Sequence, residues 1–425
     1  MQTMNERNQE NRLIDAKGLM VYYVTSIIGV GILIVPGIAY GIAGPASLLS
    51  WIILALLSYP LARSFSKLIV ERPHSSGLML MVGDVFGVKV GQSLNLLLAF
   101  TMIIGNPIMG IAAARYLQNI VGYDDHFVLL YGFFFMLASI LLNMLGVKMS
   151  NRIQFISFLV LSIILSAIIG VALVHADFEQ TGSFAPHGYT AVFSAITVCF
   201  YSFLGWENAT NIAGDVKEPR SSYKKAVPIA VLIVGVLYVL LALALIARIP
   251  AETYENTQTV LPLLLKGIVG EHVGYLYNAL AIFLIMMATN AWVFSASRVI
   301  VSLSETNVLP PLFSQTKRNH VPLYAYLLLA SLYGVILLIL ASFELDEVYL
   351  IQMTNFNFFI IYLFIYGAAI KFYKAVRDRL FYLGMMLLVL SILPFFEGSA
   401  IFSIVLGILS FVLIAIKRSQ EKSVP

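Results

Sequence analysis

Long apolar stretches separated by short polar segments recur along the whole chain. A helix needs about 20 apolar residues to cross the hydrocarbon core of a bilayer. We predict twelve membrane-spanning helices from this pattern, at 18–42, 46–70, 88–119, 127–146, 152–175, 189–213, 224–247, 271–304, 322–341, 346–370, 380–396 and 399–416. Only Glu397 and Gly398 separate the last two stretches, so a count of eleven remains open. The pattern predicts an all-α polytopic membrane protein.

Two of the predicted spans are interrupted near their middles. The first span contains Gly29, Gly31 and Pro36 in an otherwise apolar run. The sixth contains the interruption Phe203-Leu204-Gly205-Trp206-Glu207-Asn208, which includes a carboxylate. Broken spans at corresponding positions of two halves indicate a binding site at the breaks. An odd number of spans in each half places the halves in opposite orientations. We therefore predict a five-plus-five inverted repeat, 17–175 and 189–370, with broken helices 1 and 6.

Composition and charge agree with a membrane location. Hydrophobic residues make up 60% and charged residues 11% of the 425, and mean hydropathy is +0.90. With the N-terminus placed in the cytoplasm, all of the 26 Lys and Arg residues except Arg115, Arg248 and Lys266 fall on the cytoplasmic side. Because Lys and Arg favour that side, we predict a multi-pass protein of the cytoplasmic (inner) membrane with both termini cytoplasmic. The net charge of +4 follows from this asymmetry and indicates no nucleic-acid partner.

The chain divides into a membrane core and short ends. We predict a cytoplasmic tail at 1–16, a ten-span core at 17–370, two accessory spans at 380–416 and a second cytoplasmic tail at 417–425. The largest outer loop, 248–270, is predicted to hold a short helix at 260–265. The cytoplasmic stretch 73–87 is too short to span, and we predict that it is re-entrant or interfacial, where it packs against protein.

The two breaks supply complementary polar groups. A helix breaks in hydrocarbon only where the freed N–H and C=O groups find partners. At Ile28 to Ile32 the break frees N–H groups at the positive end of the following half-helix, which suits a carboxylate. In the sixth span, carbonyls around Tyr201, Ser202 and Leu204 become available to an ammonium group. A zwitterionic amino acid satisfies both ends, and the alternative is a pair of glycine kinks that serve only close helix packing.

Three kinds of side chain in these spans are candidates for a gate or for coupling. Glu207 is the one acidic residue that we place well within a span, where a charge is costly and is a functional candidate by default. It pairs with a basic group, carries a proton, or caps the second half of the sixth span; all three remain open. Trp206 lies in the break and Trp292 midway along the eighth span, both too deep for an aromatic belt. Tyr201 is placed to close over a ligand as a lid, and core packing is the alternative for each aromatic residue.

Other polar side chains carry less information. Asn106, Thr289, Asn290, Asn355 and Asn357 lie at mid-depth, where interhelical hydrogen bonding alone accounts for them. The sequence contains neither a His-Glu-x-x-His metal motif nor a phosphate-binding loop that ends in Gly-Lys-Ser/Thr. We therefore expect no enzymatic activity, no metal and no cofactor.

At the two breaks and in the loops that follow, the chain resembles the amino acid–polyamine–organocation (APC) transporter superfamily. The matching motifs are Gly29-Val30-Gly31-Ile32 with Pro36-Gly37, Tyr201-Ser202-Phe203-Leu204-Gly205-Trp206-Glu207, Asp215-x-Lys217-Glu218-Pro219-Arg220, Ala226-x-Pro228, and Ser297-Arg298 with Leu309-Pro310-Pro311. The resemblance covers spans one to ten. It implies a leucine-transporter-like fold, which is a five-plus-five inverted repeat with two trailing helices.

The resemblance also implies roles for single positions. The substrate carboxylate meets Val30 and Gly31, and the carbonyls of Tyr201 and Leu204 receive the amino group. The predicted substrate-binding residues are Ile28, Gly29, Val30, Gly31, Tyr201, Ser202, Leu204 and Trp292, and the predicted gate or coupling residues are Tyr201, Trp206 and Glu207.

One departure from the family pattern concerns the fifth span. Many proton-coupled or exchanging relatives carry a lysine there, and the stretch from Phe155 to Ser162 has none. The lysine-free span and the compact size look most like bacterial exporters of methionine and branched-chain amino acids. The resemblance implies a secondary active transporter of amino acids, working by alternating access with proton coupling or exchange. Because the predicted pocket has no deep charge apart from Glu207, we expect a neutral, apolar substrate. A basic amino-acid or polyamine antiporter and a non-transporting amino-acid sensor are the alternatives.

Overall fold

In a computed structural model, the structure describes residues 14–71, 77–145, 147–178, 182–210, 212–250, 264–265, 268, 271–316, 321–343, 347–396 and 399–423. Most of the predicted N-terminal tail, most of 260–265 and the last two residues lie outside this part of the chain. The helices are α1 (Ala16–Ile27), α2 (Val30–Ala43), α3 (Ser47–Ile69), α4 (Gly77–Phe86), α5 (Val88–Gly105), α6 (Pro107–Val121), α7 (Val128–Met144), α8 (Val147–Val174), α9 (Thr190–Cys199), α10 (Pro219–Arg248), α11 (Glu271–Glu305), α12 (Leu323–Phe343), α13 (Glu347–Phe372), α14 (Val376–Ile392) and α15 (Ser399–Ser423).

The described part of the chain is helical apart from turns and one isolated β-bridge. That bridge joins Ile14, before α1, to Val216, before α10, and the Lys217 N–H donates to the Ile14 carbonyl at 2.7 Å. The all-α prediction is therefore confirmed for the described residues.

Ten helical stretches in the described residues are long and apolar enough to cross a membrane. One of them, Gly31–Ile69, runs through α2 and α3 and so covers parts of two predicted spans. The half-helix α1 has 12 residues, too few to cross alone, and Ser162–Val174 of α8 is a shorter apolar helix. The structure thus supports a multi-pass membrane protein, and the count of twelve and the inverted repeat stay predictions.

Both predicted breaks interrupt their helices. The first span stops at Ile28, whose ψ is 69°, and resumes at Val30 after Gly29. The sixth span narrows into a 3-10 turn at Phe200–Phe203, becomes extended at Leu204, and turns at Gly205 with φ of +127°. Glycine is the residue that adopts this φ without steric cost. The helix therefore cannot continue through Gly205, and the chain proceeds to α10 through short 3-10 turns.

The packing of the helices brings the two breaks together. The half-helix α2 packs on α9, α1 packs on α10, and α3 packs along α10. The two C-terminal helices, α14 and α15, lie outside this group against α13 and α5, and large apolar side chains on both are exposed. The predicted interfacial stretch 73–87 holds α4, which packs on α5 and α13. The two breaks thus lie side by side within the buried core of the described residues.

Candidate functional site

A cavity with about 390 Å³ of empty volume lies between the two breaks. It takes its lining from both broken spans, from the α5–α6 junction, and from the middles of α11 and α13. The lining residues are Ser26, Ile27, Gly29, Gly31, Thr101, Met102, Gly105, Asn106, Met109, Tyr201, Leu204, Trp292, Thr354 and Phe358. None of them is Asp, Glu, Lys, Arg or His, so the lining carries no formal charge.

Close contact between the half-helices depends on Gly31. A Cβ on Gly31 would lie 2.6 Å from the Ser202 Cα and 2.8 Å from the Ser202 Oγ, closer than side chains approach in proteins. The Ser202 hydroxyl donates to the Gly31 carbonyl at 3.0 Å. A Cβ on Gly29 would likewise collide with Ala288 of α11. These two glycines therefore serve close helix packing, the reading that the sequence left open. Ligand access to the backbone at Gly31 stays a prediction.

The first residues of α2 present N–H groups at the start of a helix. Val30 is the first residue of α2 and Gly31 the second, and the first N–H groups of a helix have no carbonyl partner within it. The Gly29 N–H, by contrast, donates to the Ile27 carbonyl at 2.9 Å. Gly31 lines the cavity, so the positive end of α2 adjoins it.

A third helix interruption, missed in the sequence, forms another wall of the cavity. The predicted third span is two helices, α5 and α6, which meet at Asn106 and Pro107. Proline has no N–H and disrupts the helix that precedes it. The Gly105 carbonyl accepts a hydrogen bond from the Tyr201 hydroxyl at 3.3 Å, and the Asn106 amide donates to the Tyr333 hydroxyl at 2.8 Å. The signal that could have found this wall is Pro107, one residue after the polar Asn106.

Trp292 forms a wall of the cavity beside the first break. Its indole Nε1 donates to the Ser26 carbonyl at 2.9 Å, which satisfies a carbonyl in the last turn of α1. Its ring meets the Phe358 ring edge-on, with centroids 6.3 Å apart. The two aromatic rings and Met102 and Met109 give this side of the cavity an apolar surface.

Glu207 lies at a second cavity, of about 380 Å³, rather than at the first. One carboxylate oxygen accepts from the Gly205 N–H at 3.0 Å, and the other accepts from the Tyr362 hydroxyl of α13 at 2.6 Å. Phe358 lines both cavities and is fully buried, so its side chain separates them. The carboxylate is thus held by two neutral donors, and no basic side chain of the described residues forms an ion pair with it.

The predicted site residues fall into three groups. Gly29, Gly31, Tyr201, Leu204 and Trp292 line the first cavity. Ile28 and Ser202 lie beside it, outside its lining, and the side chain of Val30 lies outside the described part of the chain. Trp206 is fully buried away from the cavity, with its ring centroid 5.4 Å from that of Tyr23. Their roles in binding and gating stay predictions.

Two of the mid-depth polar residues connect helices. The amide of Asn143 on α7 donates to the Asn290 side chain of α11 at 2.8 Å. The Asn355 amide donates to the Thr197 carbonyl at 2.6 Å and so ties α13 to α9. Interhelical bonding accounts for these residues, as the sequence analysis allowed, while Asn106 belongs to the cavity wall.

An ion pair between α6 and α13 was not predicted. Arg115 Nε lies 2.9 Å and Nη2 lies 3.2 Å from the two carboxylate oxygens of Glu347. Glu347 is buried and Arg115 partly buried, so the pair is shielded from solvent. At a rise of about 1.5 Å per residue, it lies roughly 9–10 Å along these helices from the cavity residues Met109 and Thr354. No sequence signal links two residues so far apart in the chain.

Metal chemistry has no candidate site in the described residues, where no group of three or more His, Cys, Asp or Glu side chains is clustered. What the site offers is a neutral, partly apolar cavity beside the start of α2 and the 3-10 turn of the sixth span.

Comparisons with known proteins agree with this geometry. The profile of the amino acid permease family matches residues 17–423. The uncharacterized amino acid permease YecA of Bacillus subtilis is 28% identical over 351 residues, which cover 82% of each chain. The gamma-aminobutyric acid permease of B. subtilis is 23% identical, covering 78% of this chain and 73% of its own. The L-asparagine permease of Escherichia coli is 22% identical, covering 83% of this chain and 73% of its own.

These relatives are named as transporters and not as enzymes, and the family match takes in both broken spans and the helices that line the cavity. With the apolar helices of the fold, they support amino-acid transport in a membrane. The chain belongs to the amino acid permease family.

Proposed function

We propose that this permease is a secondary active transporter of neutral, apolar amino acids, which it carries across the cytoplasmic membrane by alternating access. In the proposed topology both termini are cytoplasmic, and the first cavity is the substrate site. Both broken spans contribute to its lining, together with α5, α6, α11 and α13.

The observation that carries the substrate class is the absence of charge in the cavity lining. A cationic or anionic side chain would have to leave water without a compensating partner, which is costly. An apolar side chain instead gains contact with Met102, Met109, Trp292 and Phe358. The lining therefore favours leucine-like or methionine-like substrates.

The two charged groups that all amino acids share have matching partners at the breaks. The N–H groups at the start of α2 suit the carboxylate, because this helix end carries about half a positive charge. The carbonyls at the end of the 3-10 turn near Leu204 suit the ammonium group. Trp292 holds the Ser26 carbonyl, which keeps that group from competing for the ammonium.

The alternative of a basic amino-acid or polyamine antiporter is less favoured. Such an antiporter would require the Glu207 carboxylate to bind the cationic group of the substrate. This carboxylate already accepts hydrogen bonds from Gly205 and Tyr362 at the second cavity. Phe358 lies between it and the first cavity. We propose instead that Glu207 takes part in coupling, with a proton or a second amino acid as the driving species, and that net flow is export.

Counterflow in proteoliposomes tests the proposed substrate class. Vesicles loaded with one unlabelled amino acid at a time receive labelled leucine outside, and its accumulation reports exchange through the protein. We expect accumulation with leucine, methionine or valine inside and none with lysine or glutamate. Leucinamide, which lacks the carboxylate, and N-acetylleucine, which lacks the ammonium, should also fail. If labelled leucine does not accumulate and labelled lysine accumulates in lysine-loaded vesicles, the cation antiporter is supported. Binding of leucine without accumulation of any labelled amino acid would support the sensor.

A further inference from the structure

Another cavity, lined largely by polar and basic residues, lies between the C-terminal end of α3 and the N-terminal end of α10. It has about 790 Å³ of empty volume and is open to its surroundings. Two basic residues one turn apart line it from each helix: Arg63 and Lys67 from α3, and Arg220 and Lys224 from α10. Like charges at this spacing repel each other along a helix, so helix stability does not explain the arrangement.

The positive charge in this cavity is only partly compensated. Lys67 pairs with Asp378 at 2.6 Å, and Arg220 pairs with Glu71 at 3.3 Å. Among the described residues, neither Arg63 nor Lys224 forms an ion pair. Two exposed cations therefore face one cavity without a counter-charge, and the cavity suits an anion.

The surfaces beside the cavity are apolar and exposed. Tyr59 lies at its rim one turn from Arg63, and Leu56 lies one turn further into the predicted membrane. On α10, Ile229 and Leu232 continue from the cavity in the same direction, and both are half exposed or more. A charged cleft above apolar helix faces matches a lipid, whose headgroup and acyl chains require these two environments. Free phosphate has no acyl chains and would leave the apolar helix faces without a partner.

We propose that this cavity binds the phosphate headgroup of an anionic phospholipid. Arg63 and Lys224 contact the phosphate, Lys67 and Arg220 add positive field, and the acyl chains lie along α3 and α10. The site falls at the cytoplasmic headgroup level in the predicted orientation. This binding is independent of which amino acid the protein carries.

Tyr223 connects the proposed headgroup site to the segment that follows the break in the sixth span. Tyr223 lines the lipid cavity, and its hydroxyl donates to the Ala209 carbonyl at 2.7 Å in the chain that follows the break. A lipid held between α3 and α10 therefore fixes the helix that supports this segment. Because a ligand that binds only the folded state stabilises it, we expect the lipid to raise the unfolding temperature.

The test is lipid binding by the delipidated full-length protein in neutral detergent, followed by native mass spectrometry. Phosphatidylglycerol, phosphatidylcholine and water-soluble glycerol phosphate are titrated separately. We compare Arg63→Gln/Lys224→Gln with Lys225→Gln/Arg377→Gln, which removes the same charge from exposed residues outside the cavity lining. Thermal unfolding of each variant without lipid controls for folding, and Arg63→Lys/Lys224→Arg keeps both charges.

We expect wild type to prefer phosphatidylglycerol over phosphatidylcholine by at least about tenfold. At about fivefold per basic residue, the cavity double variant should lose roughly 25-fold in phosphatidylglycerol affinity, and the charge-preserving variant should lose little. The control double variant should change by less than about threefold, because neither of its residues lines the cavity. Equal losses in both double variants, or no preference for the anionic lipid, would overturn the proposal. Glycerol phosphate binding as tightly as the lipid would overturn the assignment to a lipid.

Discussion

The ion pair between Arg115 and Glu347 makes a sharp prediction about access to the cavity. The pair joins α6 to α13 roughly two turns from the cavity, on the outer side in the proposed orientation. Because the pair bridges α6 and α13, we expect it to separate when these helices move apart in the outward-open state. Replacing Glu347 with Gln removes the charge and keeps the shape, so the variant should favour the outward-open state.

The burial of the Arg115–Glu347 pair sets the free-energy change that we expect from Glu347→Gln. Exposed ion pairs contribute about 0–1 kcal/mol, and removing one partner of a fully buried pair costs about 3–5 kcal/mol. The side chain of Glu347 is 9% exposed and that of Arg115 is 25% exposed, so the pair lies between these cases. We estimate about 2 kcal/mol, which corresponds to about a 30-fold shift in a two-state equilibrium.

Thiol labelling measures this shift. Met109 lines the cavity and Cys199, the chain's single cysteine, is buried, so Met109→Cys provides a reporter with little background. A membrane-impermeant thiol reagent added outside should modify the reporter up to about 30-fold faster when Glu347→Gln is present. Asp124→Asn is the matched control, because Asp124 is 78% exposed and lies 3.8 Å from His126 in the predicted outer loop.

The control variant should leave the labelling rate unchanged. The exchanged pair Arg115→Glu/Glu347→Arg should return the rate toward that of the reporter alone. If Glu347→Gln lowers thermal stability and leaves the labelling rate unchanged, the pair is only structural and the reasoning is refuted.

Two further predictions concern packing and hydrogen bonding around the breaks. Tyr362→Phe removes the 2.6 Å hydrogen bond to Glu207, so we expect the free energy of unfolding to fall by about 1.5–3 kcal/mol. Denaturation in detergent measures this change. An unchanged free energy of unfolding would mean that the hydroxyl does not hold the carboxylate. Gly31→Ala places a Cβ against Ser202 and should cost about 1–3 kcal/mol. Its matched control, Gly384→Ala, meets open space within a helix and should be neutral or stabilising; equal effects of both would contradict the close contact.

The helix breaks were predictable because they depend on local backbone chemistry. Gly29 and Gly205 lie where the helices stop, and the φ of +127° at Gly205 is one that favours glycine. The kink at Pro107 carries the same kind of local signal, and a single apolar run concealed it. Local backbone preferences thus predict where a helix is interrupted. What the interruption does depends on the residues that pack against it.

Contacts across the fold were not predictable from one sequence. Glu207 accepts a hydrogen bond from Tyr362, which lies 155 residues away in the sequence, and nothing in the spacing of either residue indicates this pair. Gly31 was predicted to admit a ligand, and the structure places Ser202 against it, which a sequence cannot reveal. Trp206 and Trp292 have similar predicted depths, yet only Trp292 lines the cavity, because the turn at Gly205 directs the chain away.

We propose above all that a neutral amino acid binds between the two breaks. The most direct test is an experimental structure of the protein with the amino acid that gives the strongest counterflow. We expect its carboxylate within hydrogen-bond distance of the Gly31 N–H, its ammonium group near the Leu204 carbonyl, and its side chain against Trp292 and Phe358. A ligand bound at the Glu207 cavity, or bound with its carboxylate away from α2, would contradict the account.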